Sequence, residues 1–319
     1  MEIFRHIDDR GLASHGCVAT MGNFDGIHVG HQSLIRGAVE EARSRGLPSV
    51  VLTFEPHPLK LLAPERAPKL LLAHKDKMQL LQSFGVDIVV IQQFNALFAS
   101  LPAEEFVRRY LVHRLKVKKI WVGKDLRFGR ERRGAVSDLI RWGGDLGFQV
   151  GVVEPILLDG IRVSSSHIRE LLEQGRVEEV QAPLGRYHFI SGRVVGGHRR
   201  GRQLGFPTAN ISPRTEALPS DGIYATLLTL EATQWLSVSS IGVNPTFGAG
   251  SRTVESFIFD FSRDIYGEIV KLSFVKRIRN EQPFATVDHL VAQMHEDVKT
   301  AKNIFSHLKI GHSPPVAHR

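Results

Sequence analysis

The sequence predicts an α/β domain built on a doubly wound parallel sheet, followed by a small antiparallel β-barrel and a C-terminal helix. Three observations predict this fold class. Between residues 17 and 153, apolar runs alternate with segments of helical period, which is the pattern of a parallel sheet covered by helices. After residue 175, short β-type runs are separated by Gly, Pro, Asn and Asp, as in small antiparallel barrels. Apolar residues at helical spacing then follow near the C-terminus.

The first half of the chain contains an ordered series of predicted strands and helices. Each predicted strand is a short apolar run, and glycine or proline residues mark several of the helix ends. The predicted strands span residues 17–21, 49–54, 87–91, 119–122 and 148–153, and the predicted helices contain residues 34–42, 75–84, 103–115 and 136–146.

The β-type runs and the helical spacing in the second half of the chain predict the barrel and its helix. We interpret residues 182–185 (APLG) as a linker, because the helical period stops just before them. Two domains are therefore predicted, at residues 1–182 and 183–310, and residues 311–319 are expected to form a disordered tail. The predicted barrel strands span residues 188–195, 222–230, 235–242, 254–259 and 269–274, and the predicted helix spans residues 286–308.

The composition is typical of a soluble globular protein. Of the 319 residues, 42% are hydrophobic and 23% are charged, and this length suffices for two separate cores. The single cysteine excludes an intramolecular disulfide framework and a Cys-based zinc cluster. No apolar run approaches the roughly 20 residues that span a bilayer, and the N-terminus lacks a signal-peptide core. We expect a cytoplasmic protein with no membrane partner, and the sequence leaves an oligomer open.

The positive charge admits more than one class of partner. A net charge of +8 and a pI near 9.7 are compatible with nucleic-acid binding. However, the basic residues form short clusters at residues 127–133, 199–202 and 276–279 rather than one long stripe. Such clusters suit phosphorylated small molecules equally well, or are simply solvated surface. A nucleic acid is therefore not required.

Residues 21–31 (MGNFDGIHVGH) join the first predicted strand to the first predicted helix. Their glycines permit tight turns and close approach of a ligand to the backbone, and a helix N-terminus offers N–H groups to an anion. His28 and His31 lie three residues apart in the first helical turn, so both can face a ligand. With no third ligand nearby the pair is a poor zinc site. The prediction is a phosphate site with cationic or hydrogen-bonding imidazoles.

Other polar stretches also follow predicted strands. Residues 55–58 and 123–133 lie at the carboxyl ends of strands, where doubly wound sheets bind ligands. Residues 163–170 (VSSSHIRE) mark a further helix start. This stretch is explained either by simple helix capping or by hydroxyl groups and Arg169 directed at phosphates.

Two stretches of the second half are candidates for chemistry. Residues 196–210 are rich in glycine and arginine and can wrap a polyphosphate, with Thr208 and Asn210 offering oxygen ligands to Mg²⁺. The stretch lacks the spacing of a Walker A loop, and taken alone it is better explained as a basic, flexible β-loop. Glu255 enters an apolar strand and is either a solvated strand-edge carboxylate or a general base.

Residues 22–31 and 163–169 match the HxGH and ISSTxxR motifs of the nucleotidyltransferase superfamily. Together with residues 53–58 (TFEPHP) and 123–129 (GKDLRFG), they resemble the Rossmann-like adenylyltransferase module of bacterial bifunctional FAD synthetases. The resemblance implies flavin contacts from Phe54, Asp125 and Phe128 and an ATP site that includes the catalytic residues His28, His31 and Arg169. The implied ATP-site residues are Gly22, Asn23, Phe24, Asp25, Gly26, His28, His31, Ser164, Ser165, Ser166 and Arg169.

The second half resembles the riboflavin kinase module of the same family. Residues 205–210 (GFPTAN) are the most specific element, and residues 244–247, 254–255, 264–267 and 279–284 follow in the expected order. The resemblance implies that Thr208 and Asn210 hold Mg²⁺ and that Glu255 is the catalytic base. The implied ATP- and Mg²⁺-binding residues are Gly201, Arg202, Gly205, Pro207, Thr208 and Asn210.

The family implies a multifunctional transferase and flavoprotein of FAD biosynthesis. It would phosphorylate riboflavin to FMN with ATP, then transfer AMP from ATP to FMN, giving FAD and pyrophosphate. Two alternatives are a nucleotidyltransferase for CTP or a non-flavin acceptor, and a basic flavin- or nucleic-acid-binding protein without catalysis. The kinase-like half argues against the first, and the retained motif residues argue against the second. The sequence departs from the family pattern at Leu126, at His198 and at the pair Tyr187-His188. These departures are expected to change the affinity for the flavin more than the class of reaction.

Overall fold

The computed structural model describes residues 1–7, 15–197, 201, 204–243 and 252–310, and it forms two compact units. The first unit comprises Met1–Lys69 and His74–Ser164, and the second comprises Leu70–Ala73 and Ser165–Arg319. The division by packing thus falls after Ser164. The predicted domains, residues 1–182 and 183–310, describe functional modules rather than packing units, and their limits stay a prediction.

The first unit is built on a parallel sheet, as predicted. In the part of the chain that the structure describes, the sheet has six strands in the order β1-β4-β3-β2-β5-β8, all paired in parallel. The short β1, an edge strand, is missing from the sequence prediction. The strands and hairpin arms are β1 (Glu2–Phe4), β2 (Cys17–Met21), β3 (Ser49–Glu55), β4 (Ile88–Gln93), β5 (Val117–Gly123), β6 (Arg127–Phe128), β7 (Gly134–Ala135), β8 (Gln149–Val153), β9 (Leu157–Leu158) and β10 (Ile161–Arg162).

The strand order reverses next to β2. From β2 the chain proceeds through β3 and β4 to one side of the sheet, and then returns to place β5 and β8 on the other side. Ligands of open α/β sheets bind at such a switch point, outside the carboxyl ends of the strands. The stretch that follows β2 and the stretch that follows β5 are therefore in the position expected of a binding site.

The helices of the first unit cover this sheet. Helix α1 buries Leu34, Ile35, Ala38, Val39 and Ala42, the apolar positions of the predicted helix. Helix α5 continues as a π-helix through Val107–Arg114, a distortion that the sequence did not predict. The helices are α1 (Val29–Ser44), α2 (Pro58–Leu62), α3 (His74–Ser83), α4 (Ala96–Ala99), α5 (Ala103–Phe106) and α6 (Val136–Leu146).

The second unit is a closed antiparallel barrel followed by a helix, as predicted. Within the described residues the barrel has the strand order β11-β12-β15-β14-β13-β16. Its elements are α7 (Ser165–Glu173), α8 (Gln181–Leu184), β11 (His188–Val195), β12 (Thr208–Pro213), β13 (Gly222–Leu230), β14 (Thr233–Val243), β15 (Arg252–Ile258), β16 (Ile269–Arg279) and α9 (Val287–His307). No helix among the described residues is both long and apolar enough to cross a membrane.

Two local interpretations of the second half are wrong for part of the residues they covered. Most of the supposed linker at residues 182–185 belongs to the helical turn Gln181–Leu184, in which Pro183 and Leu184 are buried, and Leu184 joins the core of this unit. Thr208 and Asn210 lie in strand β12 rather than in a flexible loop, since β12 pairs with β11 on one side and β15 on the other. The predicted tail at residues 311–319 lies outside the described residues.

Candidate active sites

The loop between β2 and α1 is held by its own buried side chains. Phe24 and Ile27 are fully buried, and both adopt left-handed backbone angles, with φ of 50° and 39°. Residues other than glycine rarely adopt this conformation unless the surroundings impose it. The main-chain N–H of Gly22 donates to the Leu52 carbonyl at 3.0 Å, which ties the loop to β3. Phe24 is thus an anchor of the loop.

His28 and His31 form one stacked pair at the start of α1. His28 is the N-cap, and its Nδ1 accepts the main-chain N–H of His31 at 3.3 Å. The two rings stack with centroids 3.7 Å apart and an interplanar angle of 17°. A side chain at Gly30 would crowd the His28 ring, since a Cβ there would lie 3.1 Å from Cε1. The structure therefore brings both predicted histidines together, as the HxGH spacing predicted.

The imidazole of His31 is held in its neutral form. Burial, the neighbouring His28 and the charge of Lys77 keep the pKa of His31 well below its ordinary value. Its Nδ1 is buried and has no hydrogen-bond partner within the described parts of the chain. Of the two predicted alternatives, the lowered pKa favours a neutral His31 over a cationic one in the free protein. A neutral imidazole still donates one N–H to a phosphate oxygen.

The residues around the loop were only partly predicted. Asn23 Nδ2 lies 3.1 Å from Nε2 of His57, which links the loop to the TFEPHP stretch. Sequence reasoning missed Lys77, whose Nζ lies 3.3 Å from Thr53 Oγ1 and 3.5 Å from the Asn23 carbonyl. No sequence signal marked Lys77, because lysines on a surface helix are normally solvated.

Two of the three predicted flavin contacts of the first unit, Phe54 and Phe128, belong to one aromatic cluster. Phe54 packs against Phe98, which contacts Phe106, which in turn contacts Phe128, with successive centroids 5.9, 6.0 and 5.8 Å apart. The sequence motifs contain Phe54 and Phe128, the two ends of this row of contacting rings, but not Phe98 and Phe106 between them. Aromatic residues at positions 94 and 98 were nevertheless visible in the sequence as an i, i+4 pair. Asp125 is exposed and forms an ion pair with Arg162 at 2.6 Å.

The SSSHIR stretch begins helix α7. Helix α7 buries Ile168, while Ser165 and Arg169 are half-buried and Ser166 is exposed. Ser164 is the last residue of the first unit, and α7 belongs to the second. The contribution of these serines and Arg169 to the nucleotide site stays a prediction.

The structure brings the predicted kinase residues together on two paired strands. Asn210 of β12 lies opposite Glu255 of β15, and Thr208 Oγ1 donates to Glu255 Oε2 at 3.1 Å. The Asn210 amide packs against Gly197, where a Cβ would overlap it. Hydroxyl, amide and carboxylate oxygens are the ligands that suit Mg²⁺, so this donor set fits the implied metal.

A glycine turn leads into these residues. The Gly201 carbonyl accepts the main-chain N–H groups of Leu204 at 3.1 Å and Phe206 at 2.8 Å. Gly205 has a φ of 84°, which only glycine adopts readily, and Pro207 is exposed. Arg202, the remaining predicted ATP contact, lies outside the described residues.

Thr208 and Glu255 line a cavity of about 500 Å³ in the second unit. This volume is in the range of small-molecule sites. Its apolar lining consists of Phe206 and Phe257 on one side and of Leu290 and Met294 of α9 on the other. The apolar spacing predicted this helix but gave no sign of its part in the cavity wall.

A largely buried ion pair lines one side of the cavity. Arg279, near the end of β16, donates to both oxygens of Asp297 on α9, with Nε–Oδ1 and Nη2–Oδ2 distances of 2.8 and 2.7 Å. Gln293 adds a third hydrogen bond to Asp297 at 3.0 Å. Sequence reasoning named residues 279–284 as a motif but did not identify this pair.

Comparisons with known proteins match a different family model to each half of the chain. The family model of FAD synthetase matches residues 12–167, and that of riboflavin kinase matches residues 184–305. A bifunctional riboflavin kinase/FMN adenylyltransferase of Escherichia coli K12 is 39% identical over 307 residues, which are 96% of this chain and 98% of the relative. A protein of the same description from Pseudomonas fluorescens is 37% identical over 321 residues, with both chains fully covered.

A solved structure shares the fold over nearly the whole chain. It is described as a macrolide-efflux protein from Streptococcus pneumoniae, has a TM-score of 0.85 and 33% identity, and covers 94% of this chain and 98% of its own. The resemblance drawn from the sequence motifs is confirmed by the two adjacent family matches and the full-length relatives. Because one module of the family matches each half of the chain in turn, the chain belongs to the bifunctional riboflavin kinase/FMN adenylyltransferase family.

Proposed function

We propose that this chain converts riboflavin to FAD in two ATP-dependent steps at two separate sites. The observation that carries the proposal is the contact between Thr208 and Glu255 on the wall of an apolar cavity. The contact supports the proposal because a carboxylate, which can act as a base, accepts a hydrogen bond from a hydroxyl on the wall of a cavity whose apolar side chains suit a flat aromatic substrate. Cytoplasmic location, Mg²⁺ as the metal, and domain limits at residues 1–182 and 183–310 are parts of the same proposal.

In the kinase step, Glu255 accepts the proton of the riboflavin 5′-hydroxyl. The alkoxide oxygen forms a bond to the γ-phosphorus of ATP, the bond to the β,γ-bridging oxygen breaks, and ADP leaves. Thr208 and Asn210 would hold Mg²⁺, which supplies neutralisation of the phosphate charge when it is bound. Positioning and electrostatics account for most of the rate in such transfers. The apolar cavity wall excludes water and orients the flavin.

In the adenylyl-transfer step, an FMN phosphate oxygen attacks the α-phosphorus of ATP, and pyrophosphate leaves. The enzyme needs no nucleophile of its own, because FMN supplies it. Asn23 and Asp25 would shape the loop, while Gly22 and Gly26 let the backbone approach the phosphates. The residues proposed to hold the phosphates are His28, His31, Ser164, Ser165, Ser166 and Arg169. For the flavin we propose contacts with Phe54, Asp125 and Phe128, with Asp125 exchanging its Arg162 partner for the substrate.

Incubation with riboflavin, ATP and Mg²⁺, followed by chromatography, tests the proposal. We expect FMN to appear first and FAD to accumulate after it. Absence of both products would refute the two-step function, whereas FMN without FAD would refute only the assignment of the first unit.

Replacing Glu255 with Ala separates the two sites. Glu255→Ala should reduce FMN formation from riboflavin by about a hundredfold or more, since it removes the general base, and should leave FMN-to-FAD conversion unchanged. The exposed Glu268 offers a matched control, and Glu268→Ala should keep both activities. Loss of both activities in folded Glu255→Ala protein would contradict independent sites.

A further inference from the structure

Lys77 places a buried ammonium group behind the loop at residues 22–28, and the two steps described above do not use it. Only 9% of Lys77 is exposed. Its Nζ lies 3.3 Å from Thr53 Oγ1 and 3.5 Å from the Asn23 carbonyl oxygen. Thr53, which is fully buried, donates to that same carbonyl at 3.3 Å. A lysine and a threonine thus hold one main-chain oxygen of the loop.

The charge of Lys77 is balanced by carboxylates, one of which belongs to this loop. Lysine is rarely buried, because removing its charge from water is costly unless an opposite charge is near. Burial lowers the pKa of Lys77, while Glu55 and Asp25 act in the opposite direction. Asp25 is itself buried. The ammonium therefore attracts the loop at two positions, through the Asn23 carbonyl and through the Asp25 carboxylate.

The held carbonyl directly precedes one of the two loop residues that adopt left-handed backbone angles. Phe24, the next residue, has a φ of 50°, a region that side-chain-bearing residues avoid. In a planar trans peptide the carbonyl and the following N–H point in opposite directions. Holding the Asn23 oxygen consequently fixes the orientation of the peptide plane between Asn23 and Phe24, from which the loop continues.

We propose that Lys77 is a positioning residue for adenylyl transfer, which presets the loop for the ATP phosphates by holding the Asn23 carbonyl. The inference rests on the proposed function of this loop. It assigns to Lys77 neither a contact with substrate nor a proton transfer. Its effect is confined to the first unit, so the kinase activity of the same molecule serves as an internal control.

Kinetics of the full-length protein with Lys77→Met test the inference. We expect kcat/KM for ATP in FMN-to-FAD conversion to fall by about tenfold or more, since small misplacements in a site cost factors of this size. The KM for ATP should rise, because the loop must now be ordered by the nucleotide. Riboflavin phosphorylation should stay within about twofold of the wild-type rate. Lys75→Met is the matched control, since Lys75 is exposed on the same helix, and it should behave as wild type.

A second variant keeps the test decisive if Lys77→Met does not fold. Thr53→Val removes the hydroxyl that joins Lys77 to Asn23 with little change in shape, and should also raise the KM for ATP, by a smaller factor. A purely structural role would reduce the active fraction and hence kcat, with the KM for ATP unchanged in both variants, and this result would overturn the inference. Equal effects of Lys75→Met and Lys77→Met would overturn it as well.

The outcome for the wild-type protein separates this inference from the proposed function. Wild-type protein that makes FMN but no FAD refutes the role of the first unit, and the inference with it. Wild-type protein that makes FAD, together with unchanged kinetics in Lys77→Met, refutes the inference alone.

Discussion

His31 shows how much the surroundings of a single residue determine its chemistry. Three influences oppose its imidazolium form, and burial is the largest, followed by His28 and Lys77. The sequence motif predicted the position of this imidazole and left its protonation state open. Protonation depends on burial and on a lysine that is distant in sequence, and neither can be read from HxGH spacing.

The protonation state of His31 is directly measurable. Because the folded protein disfavours the charged ring, the His31 imidazole should remain neutral as the pH falls from 7.5 to about 5.5, whereas a histidine with an ordinary pKa takes up a proton in this range. A ¹⁵N NMR titration of histidine-labelled protein measures this, with His31→Gln identifying the resonance. An imidazolium signal from His31 at pH 6 in the ligand-free protein would contradict it.

Lys77 and Glu255 illustrate the two possible outcomes of reasoning from residue type. A glutamate at a strand edge is usually solvated. The resemblance to the riboflavin kinase module nevertheless implied that Glu255 is a general base, and in the structure Glu255 accepts a hydrogen bond from Thr208. Lys77 belongs to no sequence motif, so only its contacts with Thr53 and the Asn23 carbonyl show that it lies at the loop. The sequence therefore predicted site residues that a motif contains and missed those that tertiary contacts bring to the site.

At the scale of elements, α9 depends on one buried ion pair as well as on its apolar face. Asp297 lies between Arg279 and Gln293, and it accepts hydrogen bonds from both. Charge-assisted bidentate pairs are strong, and removal of one member leaves the other buried without compensation. This pair joins the helix to the strand that ends at the cavity.

Breaking the pair should loosen α9. We expect Asp297→Asn to lower the free energy of unfolding of the second unit by about 3 kcal/mol, and to raise the KM for riboflavin because α9 forms a cavity wall. Urea denaturation and hydrogen exchange of α9 measure the change. Glu296→Gln is the control, since its pair with Lys299 is exposed and contributes about 0.5 kcal/mol or less. Equal stability losses in both variants would contradict the importance of burial.

The same scale shows which elements a sequence can predict. Strands β11 and β13 and helix α6 begin and end at the predicted residues, because their apolar periodicity is strong and glycine or proline bounds them. Strand β12 was missed because polar residues and prolines hide its period, and it is stabilised mainly by pairing with its two neighbours. The buried turn at Gln181–Leu184 resembled a linker because Pro and Gly are frequent in both.

At the scale of the whole molecule, the two units have separate hydrophobic cores, so they can respond differently to pH. The second unit contains His188, which is 2% exposed and stacks on Phe274 with centroids 6.0 Å apart. Burial, with a smaller effect of Arg186, lowers the pKa of His188 to about 3. The residue is one of the departures from the family pattern noted in the sequence, which gave no sign of its burial.

This buried histidine predicts an acid-sensitive second unit. Below a pH of about 6.5 the unfolded chain binds a proton at His188, while the folded unit does not do so until about pH 3, so the free energy of unfolding falls as the pH falls. One such group contributes a slope of up to about 1.4 kcal/mol per pH unit. The pH dependence of the urea midpoint of the second unit, between pH 6.5 and 4.5, measures this slope.

His188→Phe should remove that slope, whatever it does to stability at pH 7, because phenylalanine preserves the stacking on Phe274 and does not titrate. His289→Phe, which removes an exposed histidine of α9, is the matched control and should retain the wild-type slope. The kinase activity of wild-type protein recovered after incubation at pH 4.5 should correspondingly fall further than that of His188→Phe. An unchanged slope in His188→Phe would show that other groups, not this imidazole, govern the acid stability of the unit.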